Sequence, residues 1–177
     1  MKKMKKLFAA LIASVVLMGT AAAVTPSDIF LNYGGNISEG DSLAKASIAL
    51  PWTFFNAEGD WKLPTLVGEY EYAVKLGPVP FSFGGYAGIS GYGGDGYGNV
   101  VLRAGGSATY HMAVPPVKGL DVFASLKLGL RADIGSDASF GFEPGFGVGV
   151  AYFFNDSIGI TGDIGYPSAR IGAIFKF

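Results

Sequence analysis

The chain has 177 residues, of which 50% are hydrophobic and 14% aromatic, with 28 glycines and no cysteine. The lack of cysteine excludes a disulfide framework and a lipid-attachment cysteine. Without the four lysines near its start, nine basic residues stand against fourteen acidic ones. The resulting net charge of −5 argues against a nucleic-acid partner, because phosphate binding needs a basic face.

The first 23 residues have the pattern of a secretory signal peptide. Four lysines precede an uncharged run from Leu7 to Val24, and Ala21–Ala23 supplies small residues for cleavage. An uncleaved transmembrane anchor is the alternative, because 18 uncharged residues approach spanning length. The second half of the run is mostly Ala, Gly and Thr, which favours cleavage. We therefore predict a signal peptide at 1–23 and export of a one-domain chain to a bacterial envelope.

After the leader the apolar residues are dispersed by alternation, which is the pattern of β-strands. Every second residue from Leu120 to Leu130 is apolar, and Asp121 and Lys127 lie between them. The candidates have 10 to 14 residues, whereas a tilted strand needs about 9–11 to cross a bilayer. Eight strands are predicted, at Leu43–Phe54, Thr65–Leu76, Val79–Ser90, Asn99–Met112, Gly119–Ala132, Phe142–Phe154, Ser157–Tyr166 and Ser168–Phe177. Pro144 is expected to mark the upper start of its strand or a bulge.

The connections between these strands alternate between two classes. Short turns such as GPVP and FNDS alternate with longer segments such as GYGGDGYG at 91–98 and DIGSDAS at 133–139. Outer-membrane barrels have short periplasmic turns and longer outer loops. The pattern therefore predicts an all-β fold, an eight-stranded antiparallel up-and-down transmembrane β-barrel at 43–177, with both termini in the periplasm. The last outer connection, near Tyr166–Ser168, is predicted to be tight.

Residues 24–42 are predicted to be an N-terminal extension. Ser27–Ser38 also alternates, but counting it would give nine strands, and single-chain bacterial barrels have even numbers. We place the extension in the periplasm or in the lumen. The alternative is that Ser27–Ser38 is the first strand and that Ser157–Phe177 holds only one.

The chain ends in ARIGAIFKF, with Phe177 last, Phe175 two residues before it, and Ala173, Ile171 and Ala169 at the preceding alternate positions. This ending resembles the C-terminal signal by which bacterial outer-membrane barrels are recognised for assembly. The resemblance implies that Phe175 and Phe177 act as an assembly signal toward the barrel-assembly machinery. Both rings are expected in the inner aromatic girdle, in contact with outer-membrane lipid.

From about Glu39 to Phe177 the chain resembles the small outer-membrane β-barrel domain group of Gram-negative bacteria. The stretches LPTLVGEYEYAV, RAGGSATYHM, LDVFASLKLGL and GFGVGVAYFFND carry this resemblance in order. Ala151 departs from the group, in which an arginine often stands before the aromatic pair. The resemblance implies a location in the cell outer membrane, and it leaves the activity open because the group hosts unrelated functions.

Charged residues at alternate positions are predicted to face the lumen. An eight-stranded barrel is just wide enough to be filled by side chains, and buried ions must be paired. We therefore predict a mixed-charge plug and a structural or surface-interaction role. The predicted network is Glu69, Glu71, Lys75, Arg103, Lys127, Arg131, Glu143, Asp163 and Arg170, with Lys45, Asp121 and Lys176 also directed inward.

Two other functions remain open. A narrow porin-like channel for small solutes would need a water path through the charged lumen. A secreted soluble barrel would reverse the faces, with Glu69, Lys127 and Arg131 in water and the Leu120–Leu130 face around an apolar ligand. The apolar excess and the Phe177 ending favour the membrane protein.

Catalysis, metal binding and cofactors are not predicted. The single histidine, His111, shares a face with Ser107 and Thr109, but no recognisable nucleophile motif surrounds it. One histidine and no cysteine make a metal site improbable on ligand chemistry. The spacing Gly91-x-Gly93-x-x-Gly96 opens no helix, so 91–98 is predicted to be an outer loop that could contact an extracellular partner.

Overall fold

The computed structural model describes residues 25–51, 61–115 and 117–177. The predicted signal peptide at 1–23 and the upper end of the first predicted strand lie outside these residues. In chain order the elements are α1 Pro26–Phe30, β1 Ser42–Pro51, β2 Trp61–Lys62, β3 Thr65–Leu76, β4 Val79–Gly94, β5 Tyr97–Ala113, β6 Leu120–Gly135, β7 Ser139–Phe153, β8 Ile158–Tyr166 and β9 Ser168–Lys176. Over the described ranges, no helix has the length and hydropathy to cross a membrane.

The strands form one antiparallel sheet that closes on itself. β1 pairs with β3 on one side and with β9 on the other, and β3 to β9 pair in chain order. β2 is a two-residue strand beside β4. The barrel wall of the described chain therefore consists of the other eight strands, which confirms the predicted eight-stranded antiparallel barrel.

Ser27–Ser38 contains no strand. Its start belongs to α1, where Pro26 lies in the first turn and Asp28 Oδ2 accepts the backbone N–H of Thr25 at 2.8 Å. These residues favour a helix start over a strand. The alternative that makes this stretch the first strand is wrong, because Ser157–Phe177 holds both β8 and β9.

The two faces of the wall are opposite in polarity. Leu126 and Leu128 on β6 point outward with 64% and 63% of their surface exposed, whereas Lys127 between them is buried. The same alternation puts Glu69 inside the barrel and Tyr70 outside it. A water-soluble barrel buries its apolar face, so the secreted soluble alternative is wrong on this arrangement.

The strand registers fix the tilt of the wall. A path that starts at Ala46 on β1 and follows directly paired residues across β3, β4 and β5 arrives at Leu130 on β6. In the other direction it connects through β9, β8 and β7 to Leu120 on the same strand. This offset of ten residues around the circuit matches strands tilted by about 35–45°, the usual range for barrels.

The outer rim is uneven. β4, β5, β6 and β7 have 15 to 17 residues, whereas β8 and β9 have nine each. The last β7–β8 pair is Phe146 with Tyr166, and Pro144 lies beyond it on β7. Because β8 has already ended there, the missing N–H of Pro144 costs no bond to β8. Pro144 therefore lies inside a strand that starts at Ser139, and not at the strand's upper start.

Residues 91–98 and 133–139, predicted to be outer loops, are mostly strand. β4 and β5 continue to a two-residue turn at Asp95 and Gly96, where Gly96 has a φ of +81°. The indole of Trp61 lies against Gly93, and a Cβ on Gly93 would stand 2.8 Å from that ring. The glycines that suggested a flexible loop therefore provide a flat surface for an aromatic side chain.

Candidate functional site in the barrel lumen

The carboxylate of Glu69, on β3, forms ion pairs with three cationic side chains that lie on three other strands. Arg170 Nη1 lies 3.0 Å from Glu69 Oε2, Lys45 Nζ lies 3.4 Å from Oε1, and Lys127 Nζ also pairs with Oε2. Only 2% of the Glu69 side chain is exposed. A carboxylate this deeply buried needs such partners, since an unpaired buried charge costs several kcal/mol. Glu69 therefore joins β1, β6 and β9 through the middle of the lumen.

Glu71 lies two residues farther along β3 and is fully buried. Lys45 Nζ is 2.9 Å from its Oε2, so one lysine serves both glutamates. Hydroxyl groups of the neighbouring strands complete its hydrogen bonds: Thr109 at 2.6 Å, Ser82 at 2.8 Å and Ser107 at 3.4 Å. Both oxygens of the Glu71 carboxylate therefore accept hydrogen bonds away from solvent.

The outer half contains two further ion-paired groups. Arg170 forms a two-pronged pair with Asp163, with Nη2 at 2.6 Å and Nε at 3.0 Å, the geometry that suits guanidinium and carboxylate. Arg103 Nε lies 2.9 Å from Glu143, and Arg131 lies 3.9 Å from the same carboxylate. Arg131 is 37% exposed, so solvent reaches the network at this end.

The structure brings eight of the nine predicted lumen residues into these ion pairs. They are Glu69, Glu71, Arg103, Lys127, Arg131, Glu143, Asp163 and Arg170.

Lys75 is the one predicted lumen residue that the structure does not place in the network. It is exposed and takes part in none of the ion pairs found among the described residues. Lys75 lies next to the β3–β4 turn, where the strand has passed the rim of the barrel. Alternation assigned its face but could not show that the lumen ends before it.

The predicted assembly-signal residues lie on the outer face. Phe175 is 39% exposed and Phe177 is 71% exposed. The backbone of Phe177 exchanges two hydrogen bonds with Ser42, at 2.8 and 3.0 Å, and its ring stands 6.5 Å from that of Tyr70. The last residue of the chain therefore completes the seam between β9 and β1.

Two contributors to the lumen were missed from the sequence. Asp133 pairs with Arg131 at 2.9 Å and also accepts the Ser139 hydroxyl at 2.8 Å, although its segment was predicted to be a loop. Ser82 on β4 connects Glu71 to His111. The available signal for Ser82 was its place on the same face of β4 as Tyr86 and Ser90.

Ser82, His111 and Asp121 form a linear hydrogen-bonded array at the end of the lumen where β9 ends. His111 Nδ1 lies 2.8 Å from Asp121 Oδ2, and Nε2 lies 2.9 Å from Ser82 Oγ. The order resembles a nucleophile, base and acid. However, Ser82 is fully buried and donates its proton to Glu71, so this proton is not directed at the imidazole as a nucleophile's would be. The array therefore joins buried polar groups to one another, while Asp121 Oδ1 has no hydrogen-bond partner among the described residues.

A cavity of about 70 Å³ lies in the outer half of the lumen, beside the β8–β9 turn. Its wall combines apolar residues of the rim, such as Phe146 and Pro167, with Arg103 and Lys127. The hydroxyl of Ser125 also lines it and has no hydrogen-bond partner among the described residues. A space of this size holds about two water molecules. Among the described residues, no group of three or more His, Asp or Glu side chains could hold a metal ion.

No family model and no curated protein matches the chain in sequence. The N-terminal β-barrel domain of OprF from Pseudomonas aeruginosa is similar in structure, with 17% identity, a TM-score of 0.51, and coverage of 78% of this chain and 98% of that domain. Ail, the attachment invasion locus protein of Yersinia pestis, has 11% identity and a TM-score of 0.47, over 79% of this chain and 100% of Ail. A de novo designed transmembrane β-barrel has 14% identity and a TM-score of 0.47, over 80% and 98%. The fold is that of small eight-stranded outer-membrane barrels, and the predicted resemblance is confirmed at that level.

Proposed function

We propose that this chain is an integral outer-membrane protein with a structural or surface-interaction role, whose lumen is plugged by its mixed-charge network. The observation that carries the proposal is the pairing of charges around Glu69, at the centre of a barrel whose outward face is apolar. Ions held this deeply keep the strands in register and leave little space for a passing solute.

The outer surface supports lipid as the principal partner. Leu126, Leu128 and Ile171 expose more than half of their surface on the outward face. In water such a continuous apolar wall would aggregate, whereas in a bilayer it contacts the hydrocarbon chains of the lipids. Phe175 and Phe177 at the seam are proposed to present the C-terminal strand to the assembly machinery.

The hairpin formed by the ends of β4 and β5 is proposed to be the contact point for an extracellular partner. Asp95 at its turn is exposed, while Tyr92 and Tyr97 are partly buried on the hairpin. A short, well-paired hairpin loses less conformational entropy on binding than a flexible loop, so its tip suits a surface contact.

The proposal assigns no catalytic role to the lumen. Ser82, the one hydroxyl beside His111 with the geometry of a nucleophile, has no exposed surface and is bonded to Glu71. A substrate carbonyl would need to reach its oxygen within about 3 Å, and Ser82 exposes no surface to solvent.

A porin-like channel is the second candidate, because solvent reaches Arg131 and because Arg103 and Lys127 are among the residues that line the cavity. A strain that lacks the gene separates the two functions. Loss of a structural barrel should sensitise cells to detergent and to bulky antibiotics, and re-expression of the wild-type chain should restore resistance. Unchanged sensitivity combined with slower uptake of small solutes would contradict the proposal and support the channel.

A further inference from the structure

The segment between α1 and β1, residues 32–41, crosses the periplasmic mouth of the barrel, and we name it the strap. It contacts almost the whole circumference. Its hydrogen bonds join Asn32 to Ala113 at 3.2 Å, Tyr33 to Phe81 at 2.9 Å and to Val74, Gly35 to Leu120 at 2.7 Å, Asn36 to Asn155 at 3.1 Å and to Lys176 at 2.7 Å, and Gly40 to Ala73 at 2.9 Å. These partners belong to β3, β4, β5, β6, β9 and the β7–β8 turn.

An apolar side chain of the strap enters the lumen. Ile37 is 6% exposed and belongs to a buried cluster with Leu43, Phe123, Phe153 and Ile174. These residues line the inner end of the barrel, below the charged cluster. Burial of this apolar side chain is favourable, so the strap is held by packing as well as by its hydrogen bonds.

The strap lies directly over the His111 array. The ring of Tyr33 stands 5.6 Å from the imidazole of His111, at an interplanar angle of 48°. Gly34 approaches the wall so closely that a Cβ on it would lie 2.6 Å from Asp121 Cα. Glycine is required here because the backbone itself occupies the space above the carboxylate.

We infer that the strap can detach from the mouth of the barrel without opening the wall. In its bound position it shields the inner half of the lumen from the periplasm, and the barrel wall closes independently of it. The wall has complete strand pairing from β1 to β9, and none of its ladders uses residues 32–41. The strap is held by separate hydrogen bonds and by the packing of Ile37, without a strand ladder, and Asn32, Ser38 and Glu39 on it are exposed. Segments with few buried contacts open at a lower free energy than the whole fold.

His111 is a built-in reporter of this opening, because it is the chain's single histidine and is 1% exposed. The test compares the rate of ethoxyformylation of its imidazole by diethylpyrocarbonate in three refolded full-length proteins, with the site mapped by mass spectrometry. The proteins are the wild type, Gly34→Val and the matched control Gly68→Val. Gly68 faces the lipid side, and a Cβ there would meet no atom within 4 Å.

We expect Gly34→Val to raise the rate at His111 by at least about tenfold over the wild type, and Gly68→Val to leave it unchanged. All three should retain the heat-sensitive gel shift of a folded barrel. Fast labelling of the wild type, or continued protection of His111 in a folded Gly34→Val barrel, would overturn the inference. If Gly34→Val does not fold, the double variant Tyr33→Ala with Ile37→Ala provides the same comparison without adding bulk.

Discussion

Arg170 on β9 and Glu69 on β3 meet at 3.0 Å in the lumen, although β1 separates their strands in the sheet. Arg170 also pairs with Asp163, and Glu69 also pairs with Lys127 on β6. Neighbouring strands are already joined by their ladders, so these side chains add connections across the barrel. The network is therefore a second set of constraints on strand register, independent of the backbone.

Replacement of Glu69 by glutamine should destabilise the barrel strongly. Glu69→Gln leaves Lys45, Lys127 and Arg170 buried with one carboxylate fewer, and loss of one partner of a buried pair costs about 3–5 kcal/mol. The measurement is urea-induced unfolding in lipid vesicles. Asp95→Asn at the exposed β4–β5 turn is the control, with a change within about 0.5 kcal/mol. Equal stabilities would show that the network does not hold the wall.

Gly129→Ala should also lower stability. Gly129 faces inward on β6, where the hydroxyl of Tyr86 occupies the place of a side chain, and a Cβ would lie 2.7 Å from the Ala104 carbonyl oxygen. Overpacking of this kind costs about 1–3 kcal/mol. Gly141→Ala is the matched control, because a Cβ on Gly141 meets no atom within 4 Å. A smaller loss at Gly129 than at Gly141 would refute the packing argument.

Deletion of Phe177 should impair assembly into the outer membrane. The deletion removes the two hydrogen bonds to Ser42 that complete the β9–β1 seam, together with the terminal aromatic ring. The readout is the fraction of heat-modifiable barrel in outer-membrane extracts. Phe140→Ala is the control, since Phe140 is similarly exposed, at 73%, but lies at the opposite rim. Normal assembly of the deletion variant would refute the role assigned to Phe177.

High pH should loosen the strap. Burial, with a smaller contribution from the nearby Glu39 carboxylate, raises the pKa of Tyr33 from 10.0 to about 12. Above pH 10 the tyrosine of the unfolded or detached strap ionises first, so stability present below pH 10 declines as pH rises toward 12. Tyrosinate absorbance should show one late-titrating group that is missing in Tyr33→Phe. If the wild type and Tyr33→Phe differ only by one tyrosine that titrates at the ordinary pKa, the packed position of Tyr33 is contradicted.

Alternation predicted the eight strands and the inward face of Glu69 and Lys127, because apolar and polar residues separate cleanly when one side is lipid and the other is a packed lumen. It did not predict the Ser82–His111–Asp121 array. These residues lie on three strands, and only the register between the strands decides whether their atoms meet. The position of the barrel rim could not be predicted for a related reason. The alternation of side chains continues along a strand past the end of the lumen, as it does at Lys75.

The glycine-rich hairpin shows a different limit. Glycine has weak strand propensity, so the sequence of 91–98 predicts a loop. Its strand state depends on cross-strand pairing and on the ring of Trp61 against Gly93, which are tertiary contacts. Local preference could not indicate either of them.

Conductance of the refolded chain from Val24 to Phe177 in a planar lipid bilayer tests the central claim most directly. The charges around Glu69 are paired across the lumen, and the cavity beside the β8–β9 turn has a volume of only about 70 Å³, so a heat-modifiable, verified barrel should give no discrete current steps. Stable, reproducible steps from the wild-type protein would show that a continuous water path passes the network. The chain would then be a channel, and the plugged structural barrel proposed above would be wrong.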